Sequence, residues 1–80
     1  MDFLNLEFSK LGTKKQLSIR TEGITKIRRD SKKIIIDGSD WSSNFTLKSN
    51  EDAEKNFIKI LDSLKKADHN FIKFYVDDFS

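Results

Sequence analysis

Cysteine and proline are absent from this 80-residue chain, glycine occurs three times, and histidine and tryptophan once each. Without cysteine there are no disulfides, thiolate metal sites, iron–sulfur clusters or thiol nucleophiles. With His69 as the single histidine, no familiar zinc site can be assembled, because such sites draw on several His or Cys ligands. Gly12, Gly23 and Gly38 stand too far apart to form a Walker or dinucleotide phosphate cradle. Long apolar runs are missing too. No stretch approaches the roughly 18 apolar residues of a membrane span. Residues 1–10 lack the basic start and apolar run of a signal peptide, so a cytoplasmic location is expected.

Catalytic constellations are equally scarce. No serine occupies a G-x-S-x-G setting. The pairs Asp37/Asp40 and Asp77/Asp78 lack the further oxygen ligands of a calcium loop. The first pair reads as turn residues and the second as solvated acids of a frayed tail. His69 reads as a solvated residue near a helix C-terminus. The expectation is a protein without catalytic residues, metal or cofactor.

What is present describes one small domain, with 36% hydrophobic and 35% charged residues. A chain of this size buries only about 60% of its unfolded surface, so burial or a partner must supply the stability that disulfides would otherwise add. No repeat, low-complexity tract or Gly/Pro/Ser linker divides residues 1–80.

The first half has strand periodicity. Asp2 to Phe8 puts Leu4, Leu6 and Phe8 on one side and Phe3, Asn5 and Glu7 on the other. A Lys- and Gly-rich loop is expected next, then a strand over Gln16 to Arg20 with Leu17 and Ile19 inward, and a turn at Thr21-Glu22-Gly23. Ile24 and Ile27, three apart, predict a β-bulge or short irregularity. Arg29 to Lys32 is turn-like, and Lys33 to Asp37 carries three consecutive isoleucines, so both faces of that strand should be partly covered. Asp37-Gly38 signals a hairpin, with glycine free to take a positive φ. The returning strand, Trp41 to Leu47, directs Trp41, Ser43, Phe45 and Leu47 inward. Trp41 can serve either as core or as an exposed binding anchor, and its place beside Phe45 and Leu47 favours core.

A helix is predicted from about Asn50 to Ala67. Ser49 with Asp52 resembles a capping box, and Asn50 is an alternative cap. Ala53, Phe57, Ile60, Leu61 and Leu64 form one apolar stripe, while Glu51/Lys55 and Asp62/Lys66 are i, i+4 pairs. Phe71 to Val76 reads as a last strand, with Ile72, Phe74 and Val76 on one side and Phe71, Lys73 and Tyr75 on the other.

Together these elements predict an α+β fold. It is a largely antiparallel sheet of about five to six strands with one amphipathic helix on one face, followed by a C-terminal strand. The strands followed by a helix over about residues 16–67 are loosely similar in order to pleckstrin-homology-like domains and to single-stranded-DNA-binding transcriptional coactivators. The strand expected after the helix departs from both.

Two features point to partners. One helix covers one face, which leaves Phe3, Phe71, Tyr75 and Phe79 as candidates for a protein interface, unless the sheet curls into a partial barrel and buries them. The expected role is a non-catalytic interaction module, self-associating through a sheet face or edge, with a homodimer the simplest form. The second feature is charge. Between Lys10 and Lys33 nine bases face two acids, a net of +7, which leaves −5 for the rest of a chain whose total is +2. Lys14, Lys15, Lys26, Arg28, Arg29, Lys32 and Lys33 are therefore candidate contacts for phosphates or an acidic partner. That stretch has no aromatic on which bases could stack, and most of its cations are Lys. Nucleic-acid backbone binding is thus the alternative expectation, with weak sequence preference and strong salt dependence.

Overall fold

A computed structural model describes residues 3–66 and 70–79, except for the side chain of Phe79. The alternation in the sequence becomes six strands, β1 (Phe3–Lys10), β2 (Thr13–Arg20), β3 (Lys26–Asp30), β4 (Lys33–Asp37), β5 (Ser42–Leu47) and β6 (Ile72–Phe79), with one helix, α1 (Asn50–Lys66), before β6. They form one mixed sheet in the order β2-β1-β6-β5-β4-β3. All neighbours are antiparallel except β1 and β6, which run parallel with Leu6 beside Ile72 and Phe8 beside Phe74. The α+β architecture expected from the sequence is the one observed.

The region expected as a Lys-rich loop is instead mostly strand. β1 runs on to Lys10, β2 begins at Thr13, and a two-residue turn joins them. Leu11 and Gly12 both take positive φ, 46° and 82°, the signature of the tight turn that matches strand twist. A second two-residue turn, Ser31-Lys32, joins β3 to β4 with Ser31 at φ 54°. The turn expected at residues 21–23 is a single 3-10 turn. The irregularity expected between Ile24 and Ile27 is not a bulge. β3 starts only at Lys26, the Ile24 N–H donates to the Thr21 carbonyl at 3.2 Å, and both isoleucines pack against the core. The sheet's register shift lies elsewhere: Thr46 faces Asp78 while Leu47 faces Val76, so Asp77 is the extra residue of a bulge in β6. Asp78 is accordingly a strand residue that meets Lys10 at 3.4 Å, not part of a frayed tail.

The helix starts where the cap was expected. Ser49 Oγ accepts the Asp52 N–H at 3.1 Å, and the Ser49 carbonyl accepts the Ala53 N–H at 3.0 Å. Ser49, not Asn50, therefore caps. At the other end Lys66 reaches Asp62 at 3.2 Å. Ala53, Ile60 and Ser63 are buried against the sheet, Phe57 and Leu64 are half-buried, and Leu61 lies on the exposed flank beside Ile58. The buried line is thus rotated from the predicted stripe toward Ser63.

The core is the concave face of the sheet: Leu4, Leu6, Phe8, Ile19, Ile34, Ile36, Phe45, Leu47, Phe74 and Val76, roofed by Ala53 and Ile60. At its centre the rings of Phe8, Phe45 and Phe74 meet with centroids 4.6, 5.6 and 5.0 Å apart. Burying each such ring stabilises the fold by about 1.5–3 kcal/mol, with about 0.5–1.5 kcal/mol more for a well-placed aromatic pair.

Curvature follows from the connections. β2 and β3 are the two edges, yet residues 21–25 must join them. A flat six-stranded sheet is about 24 Å across, whereas five residues that include a 3-10 turn span roughly 16 Å. The sheet therefore curls. Leu17 and Ile19 of β2 accordingly share a hollow with Trp41 and Ser43, although β2 and β5 stand three places apart in the sheet.

Candidate functional site

The curl buries none of Phe3, Phe71 and Tyr75, and neither does it assemble them. Phe3 lies opposite Arg20 and Tyr75 beside Ser9 on the convex face, 37% and 73% exposed. Five residues of β1 lie between Phe3 and Ser9, which puts the two about 20 Å apart along the strand. Polar pairs fill the interval: Gln16 Nε2 donates to Glu7 at 2.9 Å and Ser18 Oγ to Asn5 at 2.7 Å. Phe71 precedes β6 and sits on the helix side, in a shallow depression with Lys59, Asp62 and Ser63. Phe79 pairs through its backbone with Phe45, and its side chain lies outside the described residues. The expected aromatic surface is thus scattered over both faces.

The basic residues divide as well. Lys26, Arg28, Arg29, Lys32 and Lys33 belong to the β3–β4 hairpin, at the opposite edge from Lys14 and Lys15 of β2. Arg28 Nε donates to Asp37 at 3.0 Å, Ser42 Oγ donates to the same carboxylate at 2.9 Å, and Arg29 Nη1 donates to the Ser31 carbonyl at 3.1 Å. The Arg28 hydrogen bond, then that from Ser42, holds the Asp37 carboxyl below the ordinary aspartate range against a small opposing effect of burial. Asp37 is thereby a structural tie between β3, β4 and β5.

What the fold does collect is a different set of lysines. Lys10, Lys14, Lys48 and Lys73 line an open cleft of about 500 Å³ with Tyr75, Glu7 and Asp77. Lys48 and Lys73 lie outside the basic window read from the sequence. Only the parallel placement of β6 beside β1 brings Lys73 and Tyr75 next to the β1–β2 turn. Two acids on the wall and the Lys10–Asp78 pair offset much of this charge.

The second site is the hollow beside the β2 edge, lined by Leu17, Ser18, Ile19, Gly23, Trp41 and Ser43. Trp41 is 36% exposed, so it stands at the rim of the core and not within it. Gly38 explains its position. A methyl group built on Gly38 would overlap the Trp41 indole, and the Gly38 N–H donates to the Trp41 carbonyl at 2.8 Å. Contrary to the sequence-based expectation, Gly38 is not among the residues of positive φ. It is needed as a flat seat for the indole.

β2 itself is an open edge. All eight of its residues pair with β1 in unbroken register, and among the described residues no strand pairs with its other side. β3, the other edge, has five residues. Among the described residues no cluster of three or more His, Asp or Glu could hold a metal ion, and no helix is long and apolar enough to cross a membrane. Asp40 shares no such cluster, and His69 lies outside the described residues. The chain matches no protein-family profile, no curated protein and no solved structure.

Proposed function

We propose that this protein is a non-catalytic interaction module that docks an extended strand of a protein partner along β2. The observation that carries this reading is an eight-residue, bulge-free edge strand with an apolar hollow at its flank. An added strand gains affinity from main-chain hydrogen bonds and specificity from pockets that take alternate side chains. β2 offers both. Exposed flat edges are normally blunted by charge, bulges or a covering element. Both edges carry basic residues, but β3 has only five residues, whereas β2 has eight and keeps Leu17 and Ile19 on the side that borders the hollow.

A homodimer that joins this edge symmetrically would set β2 against a second β2, each carrying Lys14, Lys15 and Arg20. The charge therefore favours a different protein as partner. The test is a complex with a partner captured from nuclease-treated lysate of the native host. Alternate backbone amides of β2 should gain protection from hydrogen exchange in the complex. A complex that protects none of them refutes the reading.

The lysine cleft supports a second reading, nucleic-acid backbone binding, because Tyr75 supplies beside Lys14 and Lys73 the stacking ring that the basic stretch lacks. Fluorescence anisotropy with labelled single-stranded DNA and RNA should then show binding that weakens steeply with salt and falls with Tyr75→Ala. Binding indifferent to salt, or none at low salt, removes it.

A further inference from the structure

The geometry points to an acidic, extended peptide segment as the occupant of the β2 edge, with an apolar side chain every second residue. This rests on the strand-docking reading above and adds the chemistry of the partner. Thr13–Arg20 carries Lys14, Lys15 and Arg20 and no acid, a net of +3. Glu22 binds Arg20 at 3.0 Å and offsets one charge, which leaves the edge positive. The pleat sorts what a docked strand would meet. Leu17 and Ile19 project toward the core side, where Trp41 and Ser43 complete the hollow, so apolar side chains of the guest fall there. Lys14 and Arg20 project to the convex face, where guest carboxylates would lie directly across from them. The hollow is apolar but open, and admits one or two aliphatic side chains beside the indole.

A second copy of the chain is a poor guest. Its β2 is equally basic, and its β3 edge, with Lys26, Arg28 and Arg29 against Asp30, is basic as well. Opposite charge at cross-strand positions attracts and like charge repels, so the same edge that discourages self-pairing selects acidic strands.

The test uses the full isotope-labelled chain and three eight-residue peptides: one alternating Glu with Val and Ile, one with Lys in place of every Glu, and the acidic one with alternate backbone nitrogens methylated. The acidic peptide should shift the amides of Thr13–Arg20 and the Trp41 indole N–H. The lysine peptide should bind at least about tenfold more weakly, and the methylated one should not bind. Lys14→Glu combined with Lys15→Glu, both exposed positions, should invert the preference, whereas Lys48→Glu with Lys73→Glu should leave it intact. If acidic and lysine peptides bind β2 equally, the acidic partner is wrong and strand docking stands. If neither moves β2, strand docking fails and this inference with it. Acidic-peptide shifts confined to Lys10, Lys48 and Lys73 would place binding in the lysine cleft and overturn the proposal. Concentration-dependent shifts of β2 without peptide would put a second copy there and overturn it too.

Discussion

Replacing Gly38 with Ala separates two reasons why a glycine stands there. A glycine kept for a left-handed backbone resists any side chain, but Gly38 lies outside that region, and what the new methyl meets is the Trp41 indole. Forcing extra volume into a packed contact costs about 1–3 kcal/mol. The same substitution narrows the unfolded ensemble and returns about 0.4–1 kcal/mol. A net loss of about 1–2 kcal/mol is therefore expected, or a melting temperature about 5–15 °C lower in a domain of this size. In a Trp41→Ala background the obstacle is gone, so Gly38→Ala should become neutral or slightly stabilising. A double-mutant cycle from urea or thermal unfolding followed by circular dichroism supplies the coupling energy. Because Trp41 is the only tryptophan, its emission reports on the seat directly. Displacement should move the emission to the red and open the ring to quencher. Equal destabilisation in both backgrounds, or a Gly38→Ala protein whose melting and emission match the parent's, would refute the argument.

The helix orientation makes a paired prediction. Ile60→Ala should lose about 2–5 kcal/mol in urea unfolding, while Ile58→Ala, at a site 57% exposed, should stay within about 0.5 kcal/mol of the parent; the reverse order would turn the helix over. Ser49→Ala should cost about 1 kcal/mol and Asn50→Ala far less, because Ser49 accepts the Asp52 N–H; equal losses would remove Ser49 as the cap. Asp37 predicts a pH dependence. Its folded carboxyl ionises more readily than the 3.8 of an unperturbed aspartate, so it stabilises the fold above that value and this contribution is lost as pH falls through the lower, folded value. The stability difference between the parent and Asp37→Asn should thus be constant near neutral pH and shrink below about pH 4. A difference that does not change between pH 7 and pH 2.5 would count against the Arg28–Asp37–Ser42 tie.

Local pattern determined much of this protein by itself. Period-two alternation picked out Leu4, Leu6 and Phe8, Phe45 and Leu47, and Phe74 and Val76 as inward residues, and the Ser49 hydroxyl before an apolar-periodic run fixed the start of α1. Those features depend on residues within a few positions of one another, which is why they are legible without a fold. The tight turn at Leu11-Gly12 is not legible locally, because leucine rarely accepts a positive φ. The constraint on Gly38 comes from an indole packed on it and not from its own dihedral angles, so no local pattern carries it. Only the tertiary structure decided that β6, last in the chain, enters the middle of the sheet parallel to β1. That placement assembles Lys73 and Tyr75 with Lys10 and Lys14, and carries Asp78 to Lys10. Tertiary structure also decided the curl, which leaves β2 as an open edge and draws Trp41 beside it. Sheet order and curvature arise from contacts between residues far apart along the chain, where burial of the shared core outweighs any local preference, so both candidate sites became visible only in the folded molecule.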